Sequence, residues 1–324
     1  MKIKSTWIPF FLSLVAIVSV RVYQITSVGI PSVRMQWDNL EMICFGIAAV
    51  ATVVIMIMSY MSKDVPKVFV LKKSTLVGLI SFLAAAVVSL SGVNEIQAYL
   101  SGSKEIQRLT FGVAGILAAV AFILFGLCFL QEKNLFEKTK LFACFPTFWA
   151  VMLLAKLFSA YNAIRTDFIH VTDVLSVIGL LFFLFEQARL FVGLFNASTI
   201  RKLFYFGFGS VLFTMAFATN TLAKTLDLGQ KIDSSTMLML ATQLVMVLYV
   251  VSVLFAVRVG QDAEFVEEIS SSTPEKPDKY ITVDKPAEEA PVEDVPEVQE
   301  NTEMAEVDAL IADILTEKEA TDEV

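Results

Sequence analysis

Histidine is nearly missing from this chain: His170 is the one imidazole in 324 residues, beside three cysteines, Cys44, Cys128 and Cys144. One imidazole cannot build a histidine metal centre, and the cysteines stand at no metal-ligand spacing, so neither metal nor cofactor is expected. All three cysteines fall in apolar stretches, away from the exposed, oxidised setting that disulfide frameworks need, and read as small buried hydrophobes. Also lacking are a Gly-rich phosphate loop, a His-x-x-x-His pair and paired aspartates on an apolar segment. No local cluster of Asp, His, Ser or Glu has the spacing of an intramembrane protease or acyltransferase, so the chain is not read as an enzyme and no catalytic residue is nominated. Long polar loops are absent between residues 1 and 258, which leaves no room there for a folded extramembrane domain.

What the chain has is apolar runs. Eight stretches, about 5–24, 40–61, 74–93, 109–130, 141–161, 172–194, 203–223 and 236–257, are continuously apolar. A helix rises about 1.5 Å per residue, so roughly 20 such residues cross ~30 Å of hydrocarbon. The runs do not alternate as barrel strands do, and lipid tolerates only helices or closed barrels. The expected fold is all-α: a polytopic membrane helix bundle over residues 1–258 with the bilayer as its first partner. Pro9 and Pro146 are expected to kink the first and fifth spans or mark their ends. Gly112, Gly115, Ala118 and Ala119 place small residues three and four apart in span four, so that one face can approach a neighbour closely. Gly46 with Ala49, and Gly207 with Ser210, are lesser versions of the same pattern.

Charge is divided unevenly. Residues 1–258 carry 21 Lys and Arg against 12 Asp and Glu, whereas residues 259–324 carry 4 against 21. The acidic balance therefore belongs to the tail and offers nothing to nucleic acid. In the connections, twelve basic residues fall on the side of the N-terminus and seven on the other, and Lys63, Lys67, Lys72 and Lys73 form the densest group. Both termini are expected on the cytoplasmic side. Met1–Lys4 followed by the apolar run to Val20 also fits the start of a signal peptide, but no Ala-x-Ala site follows and Arg21 comes directly after the run. Short loops suit a bacterial plasma membrane.

Residues 259–303 are rich in Glu, Pro, Ser and Thr and are expected to be disordered, because they cannot bury enough apolar area to offset the entropy of ordering. Residues 304–318 differ: Val307, Leu310, Ile311, Ile314 and Leu315 share one helical face and fit a helix that folds into a partner's groove.

Charge within a span is costly and therefore informative. Lys156 in span five, Asn220 in span seven and Gln243 in span eight lie at similar depth on the outer side, with Asp173 near the outer start of span six. Together they fit a polar, outward-facing cavity among spans five to eight, or a lysine that snorkels to the outer headgroups while the amides join neighbouring helices. Glu186 and Arg189, three residues apart near the inner end of span six, are placed to pair or to line an inner vestibule. Arg21 and Glu41 are read as ordinary charges at span ends. Tyr161, Asn162, Arg165, Asp167 and His170 are read as a polar surface loop, and Asn196-Ala197-Ser198 as a glycosylation sequon on the side where it goes unused. Two functions fit. The first is a membrane anchor or sensor whose acidic tail recruits a cytosolic protein. The alternative is a small-molecule or ion transporter that uses the polar cavity.

Overall fold

In a computed structural model, each apolar run folds as one α-helix. The structure describes residues 3–26, 37–62, 71, 73–102, 105–161, 168–194, 196–227 and 234–257. The tail and its docking face (Val307, Leu310, Ile311, Ile314 and Leu315) lie outside the described residues. We number the helices α1 (Trp7–Thr26), α2 (Trp37–Met61), α3 (Thr75–Leu100), α4 (Ile106–Gln131), α5 (Phe145–Tyr161), α6 (Phe168–Val192), α7 (Ala197–Asp227) and α8 (Ser234–Ala256). All eight are long and apolar enough to cross a membrane, and among the described residues there is no strand. Outward faces expose large aliphatics such as Leu12, Val50, Leu79 and Leu90, as a surface solvated by lipid does.

Neighbours in sequence are neighbours in space. α3 packs on α4, α4 on α5, α5 on α6, α6 on α7 and α7 on α8, and α8 returns to α3, so six helices close a ring. α1 and α2 pack on each other and on α7, which is the most buried of the eight helices. The small face of α4 lies against α3. A Cβ on Gly92 would stand 2.8 Å from the carbonyl oxygen of Gly112, and one on Gly115 would stand 3.3 Å from the Cα of Gly92. Gly207 is equally tight against Leu254 and Phe183, whereas Gly46 meets nothing within 4 Å and has no packing role of this kind.

Several span ends differ from the sequence reading, and each shift has a local cause. Pro146 stands in the first turn of α5, where a missing N–H costs nothing, and a 3-10 turn, Lys140–Cys144, precedes it. Cys144 is consequently exposed, unlike the buried Cys44 and Cys128. α6 begins at Phe168, so His170 belongs to its first turn and not to a loop. It ends at Gly193, whose φ of +86° no side-chain-bearing residue adopts cheaply, with the Leu194 amide donating to the Arg189 carbonyl at 3.0 Å.

α7 starts six residues before the apolar run, because Asn196 caps it. The Asn196 Oδ1 accepts from the Thr199 amide at 2.9 Å and from the Ser198 hydroxyl at 2.7 Å. The sequon is thus an N-cap, and Arg201 and Lys202, read as loop charges, sit on the helix. Arg201 donates to the Ser62 carbonyl at 2.8 Å, just beyond the end of α2. Asn196→Ala is expected to cost about 1 kcal/mol of stability, measured as a lower unfolding midpoint in detergent, whereas Asn196→Asp should retain the cap.

Arg21 corrects the sequence reading most sharply. It is 3% exposed, within α1, and donates to the Ala216 carbonyl of α7 at 2.9 Å and to Gln24 Oε1 at 2.5 Å. Glu41 of α2 is also buried and lies within electrostatic reach of the same guanidinium. A position near a helix end does not make a side chain peripheral when three helices converge there.

Candidate functional site

The ring encloses a cavity of about 710 Å³, the size of known small-molecule sites. All six ring helices line it, near the end of the bundle where α3 stops and α4 starts. Along α8 the lining runs from Leu238 to Val250, a depth of about 18 Å at 1.5 Å per residue. Glu105 and Arg108 stand at the rim, paired at 2.9 Å and both exposed.

Of the residues that sequence reasoning nominated, Lys156, Asp173 and Gln243 all line this cavity. Asn220 stands on α7, and its side chain lies outside the described residues. The Lys156 ammonium reaches Glu95 Oε1 at 2.5 Å and lies 4.9 Å from the centre of the Phe111 ring. Asp173 is 1% exposed and accepts from the Gln243 amide at 3.3 Å. An amide nitrogen must face a carboxylate, so this bond orients Gln243 and leaves its Oε1 as the atom to be satisfied.

Glu95 is the residue the sequence reading missed. Asn94-Glu95 looked like the polar boundary of span three, which was ended at residue 93, but α3 continues to Leu100 and carries Glu95 inside the ring. The signal was present in Ile96, Ala98, Tyr99 and Leu100, apolar residues that continue the helical pattern past the acid. Glu95 keeps 14% of its side chain exposed and Lys156 keeps 42%.

Three buried polar atoms of lining residues have no hydrogen-bond partner among the described residues: Glu95 Oε2, Gln243 Oε1 and Trp149 Nε1. Leaving such an atom unsatisfied costs about 1–3 kcal/mol, so three around one cavity mark positions where a bound molecule or ordered water completes the bonding. The remaining wall is apolar, with Leu153, Leu157, Val177 and Met246 among its residues.

Below the cavity the bundle is closed. Tyr249, fully buried next to Val250, accepts from Gln187 Nε2 at 2.5 Å and meets Phe122 edge to face at 5.0 Å. Beneath it Phe125, Phe136 and Phe191 interlock, with ring centres 4.6 and 4.8 Å apart on either side of Phe125. Phe136 comes from a 3-10 turn after α4, held by Asn134, which donates to the Phe191 carbonyl at 2.7 Å.

Glu186 and Arg189 are not part of this cavity. Asp173 and Glu186 are thirteen residues apart on α6, or about 20 Å along its axis. The Glu186 and Arg189 side chains pair at 3.0 Å, and Lys202 of α7 adds a second cation 3.9 Å from the same carboxylate. Between them on the chain, Gln187 is engaged with Tyr249, so this segment joins α6 to its neighbours. Among the described residues, no three His, Cys, Asp or Glu side chains gather to hold a metal ion. No protein-family model, no curated protein and no solved structure matches this chain, so its function has to be argued from this cavity.

Proposed function

We propose that the chain is a membrane transporter for a small amphipathic solute, which binds in the six-helix cavity. The observation that carries this reading is a solute-sized cavity whose wall combines an ion pair with three unsatisfied buried polar atoms, all on helices that cross the membrane. A bundle that served only as an anchor has no use for such a cavity, and intramembrane charge is retained where it acts. Loop charge supports a topology with both termini in the cytoplasm and the cavity mouth outside, in the plasma membrane of a bacterium. In this orientation the Gln187–Tyr249 bond and the phenylalanines beneath it form the closed inner gate, the part that must open to complete a transport cycle. The acidic tail is a separate proposal: Val307, Leu310, Ile311, Ile314 and Leu315 recruit a cytosolic protein to the transporter.

The test begins with binding. Purified full-length chain in detergent is heated in the presence of a panel of amines, amino acids, carboxylates and sugars. A solute at 100 times its Kd adds about 2.7 kcal/mol to the folded state, and the panel should contain one that raises the unfolding midpoint. Leu153→Trp, which fills the cavity from the α5 wall, should abolish that rise. The stabilising solute, radiolabelled, should then accumulate in proteoliposomes preloaded with the unlabelled form. Binding without exchange would replace the transporter with a receptor; no stabilising solute would remove the cavity reading.

A further inference from the structure

We infer that the cavity takes an organic ammonium ion: a protonated amine on a short apolar body that also bears a hydrogen-bond acceptor. This rests on the solute-binding reading above and names the chemistry of the solute. The unsatisfied atoms decide it. Glu95 gives one carboxylate oxygen to Lys156 and keeps Oε2 unpartnered; Gln243 gives its amide to Asp173 and keeps Oε1 unpartnered. Both are acceptors, so the solute must bring N–H or O–H donors to them.

The cations that an anionic solute would seek are outnumbered: the lining holds three carboxylates, Glu95, Glu105 and Asp173, against Lys156 and Arg108. Lys156 is held by Glu95 Oε1 and by the face of Phe111, and Arg108 is held by Glu105. An entering carboxylate would meet the oxygens of Glu95 and Asp173, and besides the remaining N–H groups of Lys156 would find one unengaged buried donor, the Trp149 indole N–H. An ammonium meets a carboxylate oxygen and an amide carbonyl. Trp149 Nε1 then requires an acceptor on the solute, such as a hydroxyl oxygen. The apolar side chains of α5, α6 and α8 accept its hydrocarbon portion.

The experiment uses the full-length chain in lipid nanodiscs with Cys44, Cys128 and Cys144 replaced by alanine. Ser91→Cys on α3 and Ser176→Cys on α6 each place one thiol on a different wall of the cavity. Each is treated with methanethiosulfonates of equal size, one carrying an ammonium and one a sulfonate. The ammonium reagent should react at least about tenfold faster, as expected where the walls favour one sign of charge. Tyramine should slow that reaction, and its carboxylate counterpart, 3-(4-hydroxyphenyl)propionate, should not. Glu95→Gln should remove both the charge preference and the protection by tyramine.

Equal rates, a faster sulfonate reagent, or protection by the carboxylate would overturn the ammonium assignment while leaving an accessible cavity. If neither thiol reacts with either reagent, the cavity is closed to solutes, and the solute-binding reading falls together with the assignment.

Discussion

Lys156→Met is expected to tighten binding of an organic ammonium at least tenfold, equivalent to about 1.4 kcal/mol, and to destabilise the folded chain. The substitution keeps the length and apolar stem of the side chain and deletes its charge. Glu95 then loses its counter-ion while keeping 14% of its side chain exposed, and both of its oxygens become available to the solute's cation. A fully exposed ion pair contributes about 1 kcal/mol or less, and breaking a buried pair from one side costs about 3–5 kcal/mol. Lys156, at 42% exposure, belongs between those limits. The double variant Lys156→Met with Glu95→Gln should recover most of the stability, because no uncompensated charge remains, and should lose the tightened binding. This split separates the two roles: a pair that only holds α3 to α5 would move stability in the single variant and leave binding unmoved in both. Binding measured by calorimetry and unfolding midpoints on the same preparations read the two effects. Unchanged binding in Lys156→Met would rule the pair out of the site.

Gly92→Ala is the second large effect, expected to cost about 1–3 kcal/mol through overpacking. The new Cβ would lie 2.8 Å from the Gly112 carbonyl oxygen and 3.4 Å from the Ile116 amide nitrogen. Both are backbone atoms of α4, so no rotamer change relieves the contact and the two helices must separate. Because α3 and α4 carry Glu95 and Phe111 into the cavity, separation also displaces the ammonium-binding wall. Gly46→Ala on α2 is the control, since a Cβ there meets nothing within 4 Å, and it should leave both stability and binding unchanged. Unfolding midpoints in a common detergent compare the pair; equal midpoints would show that the α3–α4 approach tolerates an added methyl group.

Much of the architecture was legible because it follows from solvent. A bilayer requires long unbroken apolar helices, so eight spans could be counted from composition, and the small residues of α4 marked the face that approaches α3. Lys156, Asp173 and Gln243 could be nominated together because a charge or amide at bilayer depth stands out against apolar neighbours, and similar depth on successive helices is readable by counting residues.

What could not be read this way depended on which helices touch. Glu95 belongs to a helix whose outer end resembles a loop, and its partner lies 61 positions away, so the ion pair exists only once α3 and α5 converge. Arg21 looked peripheral until α1, α2 and α7 enclosed it. Asn196 looked like a sequon until α7 began at it. Residue type and depth are one-dimensional properties set by the chain and its solvent. Which unsatisfied atoms share a cavity, and which charges have already consumed one another, is set by the closed ring of six helices, because no local pattern records how distant helices meet.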